Sequence, residues 1–448
     1  MAGRILRISL QRITHPTLDA VLVVILLALL VGMGIVSAYD SRISFLLVVA
    51  PPLGLALIAW PEMTLGLYAN AGLFKADPRL SSLARLGDMT LFFGAVLAAT
   101  LAYRLIIRRK RIAWSQELGI TLIFSSVVLL GLLQTPAYTY GQDKAFRFVL
   151  LTLLAFFTPY VIIKSYRSIW IFFGGWLSLA GILTLDALSR LGTGQRLSGF
   201  SGTGIGMSRT VGIAIIILFF GVLMGRTAKI WQILAGFGLS LMMLVMVGSG
   251  SRGPLLMLIV SILLTFGVSI LKPGHRLRSI LIVNVLAAVV LGIFSSGLIP
   301  TASMARFNTL ANDADDDTSA QARVQVMEVA WYLFTTSPIL GRGTGSVSAF
   351  GAGQEQVYPH NILLELAAET GLVGLSLYLT IVGMVLWRLL CNLSKQTGHD
   401  ALNLTLLAMI LFAILNAMVS GDLSDNRDLW LFAGLSVAAT QINGEAIQ

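Results

Sequence analysis

A short stretch of the sequence, VYPHNILLELAAETGLVGL (residues 357–375), sets a histidine, an amide and two carboxylates directly before an apolar run. His360 and Asn361 precede the two glutamates, of which Glu365 is the first, by about one and two helical turns. An imidazole can take a proton from an attacking hydroxyl, and a nearby carboxylate can tune it. The spacing is also typical of a helix start, where Pro359 suits the first turn and Asn361 caps it, or of an amphipathic helix at a membrane surface.

Cationic side chains are the second set of residues that could take part in chemistry. Arg252, in VGSGSRGPLL, lies between two apolar runs with almost no loop. A charge near the centre of a bilayer costs roughly 2.5–3.5 kcal/mol on insertion scales, so this position needs a reason. The side chain either reaches to lipid headgroups or binds phosphate or pyrophosphate, whose oxygens match the donor fork of a guanidinium. Further cations in comparable segments are Lys144, Arg147, Arg190, Arg196, Arg209, Arg306 and Arg323.

Other glycine-rich and acidic stretches do not match known ligand motifs. GSGSRG (248–253) and GTGSVSAFGAG (343–353) lack the G-K-[ST] ending of a nucleotide-binding loop. NDADDD (312–317) alternates aspartates but lacks the glycine and glutamate of a calcium-binding loop. With one cysteine, Cys391, and no H-E-x-x-H motif, the sequence predicts no intrachain disulfide, metal site or cofactor.

The composition indicates the elements that must position these residues. The chain has 448 residues, of which 56% are hydrophobic and 12% charged, against about 25% charged in soluble proteins. Apolar runs near the ~20 residues that cross a bilayer recur from end to end. We therefore predict an all-α polytopic membrane protein with about twelve, and at most fourteen, transmembrane helices. The net charge of +10 lies mostly in short clusters between the runs, so it reflects membrane topology and not a nucleic-acid partner.

The arginine clusters also predict the topology. Placing them in the cytoplasm leaves His360 as the one histidine on the outward side, within a large segment at 299–370. We expect a transmembrane bundle over 1–298, this segment carrying active-site residues, and C-terminal transmembrane helices over 371–448. The predicted spans are 18–37, 43–58, 60–74, 88–107, 118–134, 147–164, 169–187, 209–225, 230–247, 254–271, 279–298, 371–390, 401–420 and 429–442.

Three motifs resemble those of one enzyme superfamily. From His360 to Gly374 the sequence reads H-N-x9-G-x-x-G, which resembles the signature of bacterial O-antigen ligases, O-antigen polymerases and protein O-oligosaccharyltransferases. GSGSRGPLL (248–256) resembles the S-R-G/A step that opens a span in these proteins. AQARVQVMEVAWYLFTTSPILGRGTGS (320–346) resembles the amphipathic stretch with an arginine that precedes their histidine. The resemblance covers residues 190–385 by motif.

This resemblance implies an all-helical glycosyltransferase of the bacterial inner membrane, with its site facing the periplasm. An O-antigen ligase transfers a glycan from undecaprenyl pyrophosphate to a sugar of lipid A core, with inversion and without a metal. Through the three motifs, Arg252, Arg323 and His360 match the essential residues of the family. Arg196 in QRLSG matches a further family arginine less fully, because GTGIGMS replaces the P-N step that often follows it.

The resemblance also gives each residue an expected role. Arg252 and Arg323 would stabilise the departing pyrophosphate, and His360 would orient or deprotonate the acceptor hydroxyl. Weaker contributions to substrate binding are expected from Arg196, Arg147, Lys144, Arg306, Asn361 and Glu365. Besides the donor, the acceptor and membrane lipids, the sequence indicates no partner, and it does not define an oligomeric state.

Three alternatives stay open at this point. An O-antigen polymerase comes next after a ligase, which is favoured by the tight histidine motif and by a single large outward segment late in the chain. A protein O-oligosaccharyltransferase is third. A secondary transporter fits less well, because transporters tend to show paired halves and ionisable residues near the midplane.

Overall fold

The computed structural model describes residues 53–75, 88–109, 112–200, 204–225, 227–270, 276–312, 318–350, 357–394 and 399–445. Contacts divide the chain at Trp60, and the helices numbered below belong to the unit from Pro61 onwards. Within the described ranges this unit is helical and contains no strand, which confirms the predicted all-α class. The predicted span at 18–37 and most of that at 43–58 lie outside the described residues.

We number the helices of this unit in chain order. They are α1 Pro61–Ala69, α2 Ala71–Lys75, α3 Met89–Ile107, α4 Gln116–Leu133, α5 Tyr138–Ile162, α6 Tyr166–Leu188, α7 Gly204–Leu223, α8 Lys229–Gly248, α9 Arg252–Ile270, α10 Arg276–Ser295, α11 Thr301–Asn312, α12 Thr318–Thr336, α13 Ser346–Phe350, α14 Ile362–Ser394, α15 Asp400–Ala417 and α16 Arg427–Glu445. Several of them contain a local π turn, as α5 does over Arg147–Thr152.

Nine helices among the described residues are long and apolar enough to cross a membrane: α3 to α9, α14 and α15. Each overlaps a predicted span. Helices α10 and α16 occupy two more predicted spans but do not fall in this set. The prediction of one span at 60–74 is wrong, because the chain forms two helices there, of nine and five residues. At 1.5 Å per residue neither can cross about 30 Å of hydrocarbon.

An aromatic cluster joins the middle of the bundle. The indole of Trp430, on α16, lies 5.8 Å from the ring of Phe124 on α4 and 5.2 Å from that of Phe148 on α5. The ring of Tyr378 on α14 lies 6.3 Å away. Aromatic pairs of this kind each contribute about 0.5–1.5 kcal/mol beyond the burial of their area. Four helices are therefore fixed to one another around a single buried tryptophan.

The segment between α10 and α14 packs onto the start of α14. Helix α12 contacts α14 through a small buried cluster made by Ala330, Leu333, Val347 and Ala368. Ala330 and Leu333 lie on one face of α12, and their packing fixes the helix that carries Arg323 against α14. This packing sets the geometry of the site.

Candidate active site

A cavity of about 370 Å³ collects four of the predicted arginines. Arg196, Arg252, Arg306 and Arg323 all line it, although they come from four separate parts of the chain. None of the lining residues that the structure describes carries a carboxylate. A wall with this charge favours a polyanion, and we call the space the arginine cavity.

The GSGSRG stretch forms one wall of the arginine cavity. Gly250 has φ +61°, a left-handed conformation that suits glycine, and the chain turns there into α9, which begins at Arg252. The N-terminus of this 19-residue helix therefore lies at the cavity. Unpaired amide groups and the helix dipole make such a terminus favourable for phosphate groups.

Arginine–arginine proximity marks the same cavity as a site for anions. The Nε of Arg196 donates to the carbonyl oxygen of Ser249 at 2.8 Å, which orients the guanidinium without neutralising it. Burial and the charge of Arg306 lower the pKa of Arg196. An Nη of Arg252 donates to the carbonyl oxygen of Arg306 at 3.3 Å. A bound anion would relieve the repulsion between these like charges.

His360 is held in an unusual backbone conformation just before α14. Its φ of +54° is uncommon for a residue with a Cβ, and such conformations cluster at functional sites. The next residue, Asn361, caps the helix: its Oδ1 accepts hydrogen bonds from the amides of Leu363 and Leu364, both at 3.1 Å. Asn361 therefore fixes the start of α14, as the helix-start alternative predicted, and His360 precedes the helix.

The imidazole of His360 suits a proton acceptor. Burial and the positive charge of Arg323 lower its pKa from the usual 6.5, so the ring is neutral at neutral pH. Its Nδ1 is buried and has no hydrogen-bond partner among the residues that the structure describes. The ring of Tyr358 lies 4.4 Å from it, centroid to centroid. His360 is thus linked to the arginine cavity through the charge of Arg323, and its Nδ1 makes no hydrogen bond within the described residues.

A glycine-rich loop at 337–345 clamps the first part of α14. The amides of Arg342 and Gly343 donate to the carbonyl oxygens of Ala368 and Glu369 at 2.9 and 3.0 Å. Those carbonyls are free to turn outwards because the helix breaks directly after them. The loop between α12 and α13 is therefore bonded, backbone to backbone, to the segment that carries His360.

The close approach of the 337–345 loop to α14 requires glycine at Gly341 and at Gly371. Gly371 breaks α14 with φ +64° and ψ −163°, a region essentially limited to glycine. A Cβ at Gly371 would collide with the carbonyl of Ile339, and one at Gly341 would collide with the backbone of Glu369. The PILGRG stretch (338–343) and the first glycine of G-x-x-G are thus the two sides of one contact.

Lys144 and Glu365 are placed away from the arginine cavity. The Nζ of Lys144 forms an ion pair with Glu365 and lies 2.7 Å from both carboxylate oxygens of Glu369, and all three residues are buried. Glu365 also accepts a hydrogen bond from the amide of Leu423 at 3.0 Å. The structure does not bring the Lys144 ammonium or the Glu365 carboxylate to a ligand, because each is engaged within this ion cluster.

Arg147 also lies outside the lining of the arginine cavity. It pairs with Asp143 at 3.1 Å and lies 3.7 Å from Asp425 and 4.0 Å from Asp422. Three carboxylates therefore compete for its charge. The expected contribution of Arg147 to phosphate binding has no support in this placement.

The sequence reasoning overlooked a second group of polar residues. Tyr358, Arg209, Asp425 and Asp428 line a cavity of about 390 Å³ beside the arginine cavity. Arg209 stood among the outward cations, and the two aspartates fall in or next to the predicted outward segment 421–428. The sequence signal for this group is several charged residues in a segment that is too short to need them for solubility.

Comparison with known proteins gives one family match. Residues 237–379 match the family model described as O-antigen ligase, a stretch that includes Arg252, Arg306, Arg323 and His360. Arg196 and the C-terminal helices lie outside it. No curated protein matches the chain. The match and the apolar helices together support a multi-pass membrane protein of the O-antigen ligase and polymerase superfamily, a group of glycosyltransferase-like enzymes that act on lipid-linked glycans.

Proposed function

We propose that the protein is an O-antigen ligase, which transfers a polysaccharide from undecaprenyl pyrophosphate to a sugar hydroxyl of lipid A core at the periplasmic face of the inner membrane. The observation that carries the proposal is the meeting of a four-arginine cavity with a neutral, half-buried histidine beside it. The transfer needs a positively charged environment for the anionic leaving group and a proton acceptor for the hydroxyl nucleophile.

The arginine cavity would bind the pyrophosphate of the donor. As the bond between the sugar C1 and the phosphate oxygen breaks, the electron pair passes to that oxygen and negative charge builds on the pyrophosphate. Arg252 and Arg323, with the N-terminus of α9, line the cavity before the reaction and would stabilise this charge. Removing one preorganised donor of this kind typically costs about 3–4 kcal/mol of barrier.

His360 would serve the nucleophile. Its neutral imidazole takes the proton of the acceptor hydroxyl while the hydroxyl oxygen forms its bond to C1, and undecaprenyl pyrophosphate leaves. Proton transfer to a positioned base contributes typically about 10²–10⁴ in rate. Arg323 has two effects in this scheme, since its charge attracts the phosphate and also keeps His360 unprotonated.

The test is in-vitro transfer by the purified protein in proteoliposomes. Supplied with an undecaprenyl-pyrophosphate glycan and lipid A core, the protein should attach the glycan to the core. A longer lipid-linked glycan would instead identify a polymerase, and a glycan on a supplied protein would identify an oligosaccharyltransferase. Transport of the intact donor without any new glycosidic bond would refute group transfer altogether.

Two variants assign the roles. His360→Ala should bind the donor as the wild type does and lose transfer, and full transfer by this variant would sink the base assignment. Arg252→Ala should weaken binding of undecaprenyl pyrophosphate, and an unchanged affinity would remove the phosphate site from this cavity. Asp143→Asn, which changes an exposed carboxylate that lines neither cavity, is the control for both.

A further inference from the structure

The second cavity, of about 390 Å³, adjoins the arginine cavity, and Ile205 and Ser420 line both. Its wall comes from α1, α2, α7, the residues before α14 and the loop that leads into α16. We call it the mixed-charge cavity, because Arg209, Arg427, Asp425 and Asp428 all line it. The function proposed above assigns it no role.

The charge that lines the mixed-charge cavity differs from the charge that lines the arginine cavity. Two guanidinium groups and two carboxylates face one space, whereas the described lining of the arginine cavity carries arginines alone. A polyanion would be repelled by the aspartates. A neutral ligand with many hydroxyl groups fits well, since carboxylates accept hydrogen bonds from hydroxyls and guanidinium groups donate to them.

Buried polar atoms without partners indicate a ligand in the mixed-charge cavity. Among the described residues, Oδ1 of Asp428, Nε of Arg209 and Nε of Arg427 are buried and have no hydrogen-bond partner. All three residues line the cavity. An Nη of Arg209 donates to the carbonyl oxygen of Ser420 at 2.8 Å, so the guanidinium is held in place. Because buried polar atoms are nearly always paired, three atoms without partners on residues that line one cavity favour a polar occupant.

His360 lines neither cavity but interacts with one residue in the wall of each. The Tyr358 ring, 4.4 Å from the His360 ring, lines the mixed-charge cavity. Arg323, whose charge acts on His360, lines the arginine cavity. In a single displacement the nucleophile approaches C1 from the side opposite the leaving group, and the base must touch the nucleophile. A pyrophosphate in one cavity therefore places the attacking hydroxyl towards the other.

We propose that the mixed-charge cavity binds the sugar end of the acceptor glycan, with Asp428, Arg209 and Tyr358 contacting its hydroxyl groups. The proposal rests on the proposed function, since it assigns the acceptor of that same transfer. It is distinct from the donor site in both position and charge.

Gly72→Leu tests the proposal by filling the cavity. Gly72, on α2, lines the mixed-charge cavity, and a Cβ added there meets nothing within 4 Å. The first atom of a new side chain therefore enters open space, and leucine extends that side chain further. Gly174→Leu is the matched control, because its Cβ is equally unobstructed on α6 and Gly174 lines neither cavity. Asp428→Asn adds a variant of unchanged shape that removes only the charge.

Initial rates are measured in nanodiscs against the concentration of lipid A core, with the undecaprenyl-pyrophosphate glycan saturating, and then with the roles reversed. We expect Gly72→Leu and Asp428→Asn to raise the KM for lipid A core about tenfold or more, as loss of contacts to a charged group does. The KM for the donor should stay within about twofold of the wild type. Gly174→Leu should change neither value.

Binding of free core oligosaccharide, measured by saturation-transfer NMR, separates this proposal from the proposed function. Loss of that binding in Gly72→Leu supports the cavity assignment whether or not transfer is observed. Transfer by the wild type with an unchanged acceptor KM in Gly72→Leu overturns the assignment and leaves the function standing. A rise in the donor KM instead shows that the cavity holds the donor glycan, and an equal effect of Gly174→Leu also refutes the proposal.

Discussion

Replacing Gly371 by alanine should destabilise the protein and impair transfer while leaving binding of the donor intact. Gly371 has φ +64° and ψ −163°, and its Cα faces the carbonyl of Ile339 so closely that a Cβ cannot fit. An alanine that keeps this backbone conformation is strained, and its Cβ also pushes the 337–345 loop away. Together these effects move the segment of α14 that follows His360.

The size of the effect follows from two contributions. Holding a non-glycine residue in this region costs about 1–3 kcal/mol. Displacing the loop breaks the hydrogen bonds from Leu372 to Pro338 and from Val373 to Ile339, now 2.8 and 3.2 Å long, at about 0.5–1.5 kcal/mol each. The sum is roughly 2–6 kcal/mol. With about 2.1 cal/mol/K of unfolding entropy per residue, a chain of this length loses roughly 2–6 °C in Tm.

The assay compares Gly371→Ala with Gly383→Ala in the same helix. Gly383 lies within α14, and a Cβ there has no neighbour within 4 Å. Alanine at that position should leave the Tm unchanged or raise it slightly, because alanine favours a helix by about 0.5–1 kcal/mol over glycine. Thermal unfolding in detergent, transfer rate and donor affinity are measured on both. Equal stability and equal transfer in the two variants would refute the clamp.

Further predictions concern the ionisable groups. Transfer should be independent of pH above about 6.5 and fall as the pH drops below the lowered pKa of His360, because a protonated imidazole accepts no proton; a profile without an acidic limb would contradict this. Arg323→Gln removes a nearby positive charge, so the pKa of His360 should rise and the limb in kcat/KM should move to higher pH, whereas an unmoved limb would show that Arg323 does not act on His360. Lys144→Met leaves two buried carboxylates without their cation and should cost about 3–5 kcal/mol in unfolding free energy. Adding Glu369→Gln to Lys144→Met should recover part of that loss in a thermal unfolding measurement, and no recovery would argue against the ion cluster.

Hydrophobicity predicted the spans well because a helix that crosses a bilayer must be apolar over a fixed length. It failed at 60–74, where the apolar run was long enough but Asn70 lies between two short helices and bonds to the carbonyl of Gly66 at 2.9 Å. An apolar run shows that a segment is buried and does not show whether it crosses.

The arginine cavity could be anticipated in part from the sequence. Arg252 stood out because it lies between two apolar runs, and Arg323 because it belongs to a motif that resembles one of the family; the structure brings both to one cavity. Lys144 stood out as a further cation in a comparable segment, but it is paired with Glu365 and Glu369, more than 200 residues away in sequence. A sequence shows which residues are charged, but it does not show which distant residues pair with them.

The buried ion cluster of Lys144, Glu365 and Glu369 links α14 to the loop that leads into α16. Glu365 lies one turn after Asn361, contacts Lys144 on α5 and accepts from Leu423 in the loop that supplies Ser420 and Asp425 to the cavity walls. Apolar residues in place of a buried ion cluster often give equal or greater stability, so stability alone does not explain it. A charged cluster differs from an apolar one in being directional, because ion pairs and hydrogen bonds fix an angle as well as a distance. We therefore expect the cluster to hold the His360 end of α14 in register with both cavities.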